Sequence, residues 1–335
     1  LTMQSIEQID CDSNFALSTQ LSGRTTPLVL RNLVKHWPLV QQAKQSDQAV
    51  ADYLRSLYPG VPVQAFFAEP EAKGRFFYNA DMTGFNFSQR QTRLDTVLDG
   101  ILQHSGCSDA PVFYMGSTTA DYCTPGLTAQ NPLQLDGITP LISLWLGNRS
   151  HVVAHYDVPD NIACVGAGKR RFTVFAPQQL ANLYPGPLDF TPAGQPVSMV
   201  DARQPDFARY PKYRDAQQHA LVAELEAGDA IYIPSMWWHQ VEGLSELNVL
   251  VNYWWRQTPS YCGLPTDALL HAMLSIRDLP PAQRQIWQQQ FEHYVFNAND
   301  QTSAHLPAEK RGVLAPMLEH TARKLRAMLL NRLNR

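Results

Sequence analysis

His155-Tyr156-Asp157 and the later stretch Pro234-Ser235-Met236-Trp237-Trp238-His239 decide the fold of this chain and the chemistry that it suggests. On a β-strand, side chains two residues apart point to the same face, and each residue advances roughly 3.3 Å. His155 and Asp157 can therefore face one ion from a single strand. Two imidazoles and one carboxylate form the ligand set that holds non-haem Fe(II) and leaves coordination positions open. His239 must come from a strand that is distant along the chain, which favours a rolled β-barrel over a hairpin.

The sequence around each half of this pattern is typical of strands. Val152-Val153 leads into His155, and Gly228-Asp229 is a turn signal that opens an alternating apolar stretch before Pro234. Residues 247–255 read as a further buried strand. The alternative is an accidental match among ordinary polar residues of a β-sandwich, because a lone His-x-Asp pattern occurs by chance in many proteins.

His151 is a tempting fourth ligand because it has the same strand parity as His155. Four residues of extended chain separate the two side chains by roughly 13 Å, which is too far for one ion. We therefore expect His151 to line a surface or cleft.

Composition is that of a globular protein. The chain has 335 residues, of which 44% are hydrophobic and 17% charged, and its net charge of −3 gives no general attraction to nucleic acid or anionic membrane. No apolar run approaches the roughly 20 residues of a membrane helix, and the first residues show no export signal. The five scattered cysteines include no metal-binding pair, which indicates a reducing, cytoplasmic location.

The pattern along the chain divides it into three parts. Residues 1–110 mix short strands and helices and form an α/β buttress, with helices expected near 47–57 and 94–102. Residues 111–256 form the barrel, interrupted by a Pro- and Tyr-rich insertion at 178–219 that is typical of a binding loop or lid. Residues 257–335 are helical.

The last helical segment is both apolar and basic. Leucine, methionine and valine recur at helical spacing, while residues 308–335 carry seven basic side chains against two acidic ones. This pattern favours packing or homodimerisation through the C-terminal helices. A tail that binds nucleic acid is the alternative.

With both halves of the metal site in view, the sequence resembles the JmjC and cupin-like 2-oxoglutarate oxygenases. The resemblance is most specific in the string from His155 to Asn161, in the stretch from Gly168 to Pro177, and in the stretch from Gly228 to His239. Within the family it is most similar to the group around the asparaginyl hydroxylase factor inhibiting hypoxia-inducible factor. The tRNA wybutosine hydroxylase has the same blocks.

The resemblance implies a mostly β fold, a double-stranded β-helix of the jelly-roll type, with flanking helices. It further implies that His155, Asp157 and His239 bind Fe(II) as the catalytic centre and that 2-oxoglutarate is the cosubstrate. Relatives place a lysine two residues after the glycine that matches Gly168, where this chain has Arg170. This departure leaves the pose of the cosubstrate open.

Either Arg170 alone or the pair Lys169 and Arg171 can face into the barrel, because neighbouring residues of a strand point to opposite faces. Arg170 is favoured as the anchor of the remote carboxylate, since guanidinium binds carboxylate through two parallel hydrogen bonds. The alternative is a solvated basic strand edge. By the same resemblance, three further side chains contact the cosubstrate: Tyr114, Asn161 and Asn252.

These observations predict an Fe(II)- and 2-oxoglutarate-dependent dioxygenase that hydroxylates a protein or peptide side chain. The alternatives are a hydroxylase of a modified tRNA base and a non-catalytic cupin-like binding module. The sequence does not distinguish hydroxylation from demethylation, and it does not identify the substrate.

Overall fold

The computed structural model describes residues 4–11 and 15–334. Its strands are β1 (Gln4–Ser5), β2 (Gln8–Asp10), β3 (Leu28–Arg31), β4 (Val63–Ala68), β5 (Arg75–Phe76), β6 (Ser88–Thr92), β7 (Val112–Thr119), β8 (Leu141–Gly147), β9 (His151–Tyr156), β10 (Asp160–Ala167), β11 (Lys169–Phe175), β12 (Leu221–Glu226), β13 (Ala230–Ile233), β14 (Trp238–Gly243) and β15 (Asn248–Trp255). Its α-helices are α1 (Leu17–Leu21), α2 (Pro38–Ala43), α3 (Asp47–Leu57), α4 (Leu94–Gln103), α5 (Ala120–Cys123), α6 (Leu127–Gln130), α7 (Tyr213–Gln218), α8 (Pro265–Ser275), α9 (Pro281–Phe291) and α10 (Glu319–Leu333).

The strands form two mixed sheets. The six-stranded sheet has the order β1-β12-β11-β14-β9-β5, and the nine-stranded sheet has the order β2-β3-β13-β10-β15-β8-β7-β4-β6. Neighbouring strands are mostly antiparallel and many are distant in sequence, as in the pairs β9–β14 and β10–β15. Strands from the first 110 residues join both sheets, so the predicted buttress contributes to the barrel wall.

Apolar side chains from the two sheets meet in one interior cluster. Phe172 and Val174 of β11 and Val241 of β14 lie there beside Ala163 of β10 and Leu250 of β15. The sheets therefore pack face to face and enclose a core, as expected for a jelly roll. The predicted fold class, mostly β with flanking helices, is confirmed.

Helices cover the outer face of the larger sheet. On α3, Val50, Ala51 and Leu54 are buried, and the Ser46 hydroxyl caps the helix by accepting a hydrogen bond from the Ala49 amide at 3.0 Å. These side chains belong to the same apolar cluster as residues of β10 and β15. The helices expected near 47–57 and 94–102 are present as α3 and α4.

The insertion at 178–219 covers the outer face of the smaller sheet. Leu183, Val200 and Tyr213 from this segment pack against Phe175 and Trp238 at the ends of β11 and β14. The insertion is thus anchored by its own buried apolar side chains. It packs on the two strands from the sheet face that points away from the barrel interior.

Gly168 makes the tight connection between β10 and β11. Its φ is +75°, and a Cβ atom at this position would lie 2.4 Å from the Leu247 carbonyl oxygen. Only glycine satisfies both constraints without strain. The turn sets the register of β11 and therefore the face to which Arg170 points.

Two compact units divide the chain, one ending at Arg256 and one covering Gln257–Arg335. In the described part of the second unit, α8 and α9 contain no buried residue and α10 buries only Ala322. Among the residues that the structure describes, no helix combines the length and the apolar character needed to cross a membrane.

Candidate metal centre

The pairing of β9 with β14 brings the two distant sequence stretches together. The strands are antiparallel, His155 lies opposite His239, and Asp157 follows directly after the end of β9. Side chains of both strands enter the interior cluster, as Val152 and Val241 show. The three candidate ligands are therefore on the inner face of the smaller sheet.

The donor atoms of His155, Asp157 and His239 all lie within 4.8 Å of one another. His239 Nε2 is 3.6 Å from Asp157 Oδ2, and the two imidazole centroids are 4.4 Å apart. Two donor atoms that each lie about 2.0–2.2 Å from one ion can be at most about 4.4 Å apart, so the 3.6 Å separation fits a shared ion. The structure thus brings together the predicted triad, while its role as a ligand set stays a prediction.

Backbone carbonyls orient both imidazoles. His155 Nδ1 lies 2.9 Å from the Val153 oxygen, and His239 Nδ1 lies 3.0 Å from the Trp237 oxygen. A neutral imidazole that donates from Nδ1 keeps its lone pair on Nε2. Both rings therefore present Nε2 to the shared space, which is how metal-binding histidines are commonly held.

A hydrogen-bonded loop fixes the position of His239. The Met236 amide donates to the Asp157 carbonyl at 2.8 Å, and the Ser235 amide donates to the Asp160 carboxylate at 3.0 Å. Met236 has a φ of +68°, a left-handed conformation that is costly for a residue with a side chain. The surrounding bonds hold this strained turn, which ties the strand of the third ligand to that of the first two.

Burial keeps His239 in its neutral form. Loss of solvent, followed by the proximity of His155, lowers the pKa of His239 to about 4, although Asp157 acts in the opposite direction. A neutral imidazole is the form that binds a metal, so the site needs no deprotonation of His239 at neutral pH.

A β-bulge in β9 reverses the side on which His151 lies. His239 pairs with His155, whereas Val241 pairs with Val152, so Val153 and Ala154 together oppose one residue of β14. His151 is consequently on the outer face and not on the face of His155. The parity assumed from the sequence is wrong. The expected position on a surface or cleft is wrong as well, because His151 is 3% exposed.

Charged groups surround this buried imidazole. Burial and the Arg203 guanidinium lower the pKa of His151 to about 4, with smaller effects from Gln240, Asp201 and Arg75. Glu242 is its cross-strand neighbour on β14. His151 therefore stays neutral in the fold.

Arg170 points into the barrel, whereas its neighbours point outward. It is 2% exposed, and its Nε and Nη2 atoms have no hydrogen-bond partner in the described residues. Lys169 is exposed and Arg171 is half-buried. They pair with Glu226 and Glu224, each at 2.6 Å. The structure thus separates one buried cation from two solvated ones.

Tyr114 lies close enough to Arg170 for the two groups to affect each other. Burial raises the pKa of Tyr114 to about 12, and burial lowers the pKa of Arg170. The tyrosine hydroxyl is therefore neutral and available as a donor beside the guanidinium. No carboxylate within the described residues forms an ion pair with Arg170.

The two predicted amides lie on adjacent strands of the opposite sheet. Asn252 accepts a hydrogen bond from Trp145 Nε1 at 2.7 Å and donates to the Asn161 side-chain oxygen at 3.3 Å. Both asparagines are buried. Trp145 was not identified from the sequence, because an indole donor is recognised only when its partner across the sheet is known.

Comparison with known proteins identifies the family of the chain. A family model described as the cupin-like domain matches residues 15–261, which is most of the chain. The chain belongs to this family. The membership confirms the resemblance to JmjC and cupin-like proteins that the sequence motifs indicated.

Curated relatives carry several different names. Jumonji C domain-containing protein 5 of Drosophila melanogaster is 25% identical over 251 residues, covering 75% of this chain and 59% of the relative. The tRNA wybutosine-synthesizing protein 5 of Homo sapiens is 33% identical over 129 residues, covering 38% of this chain and 35% of the relative. The bifunctional peptidase and (3S)-lysyl hydroxylase JMJD7 of Homo sapiens is 26% identical over 265 residues, covering 68% of this chain and 77% of the relative.

The chain spans less than two thirds of the length of the first two of these relatives. The family of this chain is established by the match over residues 15–261. Because the coverage of these relatives is partial, the activity and the substrate are proposals.

We predict that Asp157→Ala weakens binding of Fe(II), or of Co(II) used as a spectroscopic probe, by at least about 100-fold. The change removes the one anionic donor and leaves two neutral imidazoles. Calorimetric titration under anaerobic conditions measures the affinity. Asp136→Ala, at an exposed carboxylate, is the control and should bind as the wild type does. Undiminished affinity in Asp157→Ala would show that the metal binds elsewhere.

We also predict that His151 makes the fold sensitive to acid. Its pKa is near 4 in the folded protein and about 6.5 in the unfolded chain. The unfolded chain therefore binds the extra proton below pH 6.5, and stability falls as the pH decreases from 6.5 toward 4. Between pH 7 and pH 5, this residue should account for a loss of about 2 kcal/mol.

Urea unfolding at the two pH values tests this prediction. His151→Gln should show a smaller loss of stability at pH 5 than the wild type, whereas His36→Gln, at an exposed site, should not. An equal pH dependence in His151→Gln and the wild type would contradict the assignment.

Proposed function

We propose that this protein is an Fe(II)- and 2-oxoglutarate-dependent oxygenase that hydroxylates a side chain of a protein or peptide. The observation that carries the proposal is Arg170, a cation buried in the same barrel interior as the triad without a protein carboxylate. A cupin-like barrel with this pair of features has a place for a metal and a place for an acidic molecule.

A buried charge without a partner costs several kcal/mol. A ligand carboxylate would offset this cost, because the free Nε and Nη2 atoms of Arg170 can donate two parallel hydrogen bonds to it. The neutral Tyr114 hydroxyl next to the guanidinium can donate a third. This arrangement fits the remote carboxylate of a dicarboxylic acid such as 2-oxoglutarate.

The other end of such a molecule would face the metal. His155, Asp157 and His239 would hold Fe(II) and leave adjacent coordination positions open, and the bound metal and cosubstrate would supply the oxidising chemistry. The role of the chain is to hold and orient the metal and the cosubstrate. The Nδ1–carbonyl bonds aim both imidazoles, the Trp145–Asn252–Asn161 network fixes two amides, and the apolar interior excludes water.

Asn161 and Asn252 are proposed to face the metal-binding end of the cosubstrate. Asn252 uses its amide within the protein, as an acceptor from Trp145 and as a donor to Asn161. The Asn161 oxygen is thereby occupied, which directs its amide nitrogen away from Asn252. We therefore assign Asn252 a positioning role and Asn161 the direct contact.

A protein substrate is supported by the lysyl hydroxylase, whose own length this chain matches over 77%. A tRNA substrate is supported by the wybutosine-synthesizing relative, which is more similar but over only 129 residues. The net charge of −3 favours the protein substrate, because RNA partners require a positive face.

Anaerobic addition of Fe(II) and 2-oxoglutarate to the purified protein tests the proposal. A metal-to-ligand absorption band in the visible range, followed by succinate formation in air, is expected. Incubation with a peptide library and with bulk tRNA, each analysed by mass spectrometry for a gain of one oxygen, distinguishes the two substrate classes. Absence of both the band and succinate would favour a non-catalytic binding module.

We predict that Arg170→Ala raises the apparent KM for 2-oxoglutarate by roughly 10- to 100-fold, since hydrogen bonds to a charged group are each worth about 1.5–3 kcal/mol. Affinity for Fe(II) should change little. Lys169→Ala, at the preceding and exposed residue, is the matched control and should leave the KM unchanged. An unaltered KM in Arg170→Ala would move the carboxylate anchor to another residue.

We further propose that the C-terminal unit forms a homodimer. Its helices leave large apolar side chains exposed, including Leu274 at 79%, and Phe296 just after α9 is 74% exposed. Apolar surface of this kind marks an interaction site. A second copy is the proposed occupant, because a two-fold axis lets the same apolar helices cover each other.

Substitution of Leu270 and Leu274 by glutamate should convert the dimer to a monomer, because charge on α8 opposes burial of that face. Size-exclusion chromatography with light scattering measures the mass. Gln283→Glu, on the exposed surface of α9, should remain dimeric. A wild-type protein that is monomeric at micromolar concentration would refute the dimer.

The cytoplasmic location also stays a proposal. It is supported by the five cysteines, which the structure places in no disulfide bond, as expected in a reducing compartment.

A further inference from the structure

Trp254 projects into the interior of the barrel. It is the last inward-facing residue of β15, because side chains alternate along a strand and Leu250, four residues earlier, belongs to the interior cluster. Its ring packs edge to face on the ring of Trp145, with the two centroids 5.7 Å apart. Since Trp145 also packs against the interior cluster, the two indoles lie on the same inner wall.

The end of the barrel at which Trp254 lies is the end that carries the triad. Trp254 pairs with Asn161 across β15 and β10. Asp160, the residue before Asn161, accepts a hydrogen bond from the Ser235 amide in the turn that leads into β14 and His239. Trp254 and Asn161 are therefore neighbours on the inner wall, at the end of the barrel where the third candidate ligand lies.

The indole N–H of Trp254 is a buried donor without a partner. Its Nε1 atom is buried and makes no hydrogen bond to any described residue, although the side chain as a whole is only half-buried. The ring therefore directs its N–H inward and leaves other atoms toward solvent. An indole N–H normally has a hydrogen-bond partner when it is buried, and an unpaired donor destabilises the fold.

Trp255 shows that an unpaired indole alone does not indicate a ligand. Its Nε1 is also buried without a hydrogen-bond partner among the residues that the structure describes. Trp255 points to the opposite face of β15, where it stacks on Tyr232 within the apolar cluster that includes α3. Trp254 differs because it lies on the inner wall beside Asn161, the amide that is proposed to contact the metal-binding end of the cosubstrate.

The direction of the N–H favours the cosubstrate over the oxidised substrate as its partner. A macromolecular substrate reaches the barrel from solvent, and the rim beside Trp254 is open to solvent, because its cross-strand neighbour Leu141 is 52% exposed. The buried N–H is directed away from that rim and toward the barrel interior.

We propose that Trp254 is a further binding residue for 2-oxoglutarate and that its indole N–H donates to the carboxylate at the metal-binding end. This inference rests on the proposed oxygenase function. A carboxylate that binds a metal through one oxygen keeps a second oxygen, whose two lone pairs can accept from two donors. The amide nitrogen of Asn161 and the N–H of Trp254 supply these two donors. Arg170 and Tyr114 bind the other carboxylate, so separate groups hold the two ends of the molecule.

Protein loaded with Zn(II), which is redox-inactive and takes the place of Fe(II), permits a binding test without turnover. Isothermal titration with 2-oxoglutarate should give a Kd for Trp254→Phe about tenfold above the wild-type value, as expected for the loss of one hydrogen bond to a charged group. Affinity for Zn(II) should not change, because the triad is intact. Trp255→Phe removes the unpaired N–H on the opposite face and is the matched control, with an unchanged Kd.

The indole N–H signals in NMR spectra of the ¹⁵N-labelled protein give a second readout that does not depend on affinity. The chain has seven tryptophans, and the spectra of Trp254→Phe and Trp255→Phe assign the two signals of interest. Addition of 2-oxoglutarate to the Zn(II)-loaded wild type should shift the Trp254 signal downfield and slow its exchange with deuterium, whereas the Trp255 signal should stay in place. Thermal unfolding verifies that the variants fold, and Trp254→Leu replaces Trp254→Phe if the latter does not.

The outcomes separate this inference from the proposed function. If the wild type binds 2-oxoglutarate, then an unchanged Kd in the folded Trp254 variant, an unshifted Trp254 signal, or an equal rise of the Kd in Trp255→Phe would overturn the inference and leave the proposed function intact. A wild-type protein that binds Zn(II) but no 2-oxoglutarate would overturn the proposed function and this inference with it.

Discussion

The pairing of β9 with β14 is the constraint on which the candidate site depends. These strands are distant in sequence, and only their antiparallel register places His155 opposite His239. The bulge at Val153 and Ala154 shifts that register by one residue, so Val152 and His155 both face the interior. The turn at Ser235 and Met236, bonded to the segment that carries Asp157, holds the end of β14 in place. Loss of this register would turn the imidazoles away from each other, because a slip of one residue exchanges the two faces of a strand.

The interior of the barrel combines an apolar core with a few polar groups that the protein itself does not satisfy. Phe172 and Val174 pack in the core, yet Arg170 on the same face of β11 is buried with two unpaired donor atoms. Such a group weakens the fold unless a ligand completes it. We interpret the burial of Arg170 as a loss of folding stability that is retained because the residue binds a ligand. The Trp145–Asn252–Asn161 network behaves differently, because its internal bonds are made and its role is to fix an amide in position.

Much of this architecture could be predicted from the sequence. The strand pattern and the Gly168 turn are local signals. Strand alternation alone indicated that Arg170 points to the opposite face from Lys169 and Arg171. The position of His151 was not predictable in the same way, because a bulge depends on how two distant strands pair and leaves no mark in the residue pattern. Trp145 was missed for a related reason. Its partner comes from another strand, and such contacts are set by tertiary packing.

We propose that three side chains share one metal while Arg170 binds the remote end of an acidic cosubstrate. A crystal structure of the protein prepared without oxygen, with Mn(II) and 2-oxoglutarate, examines both parts directly. We expect an anomalous-scattering peak bonded to Nε2 of His155, Nε2 of His239 and a carboxylate oxygen of Asp157, with the far carboxylate of 2-oxoglutarate on the Arg170 guanidinium. Manganese bound away from these three residues, or a cosubstrate carboxylate that contacts neither Arg170 nor Tyr114, would contradict it.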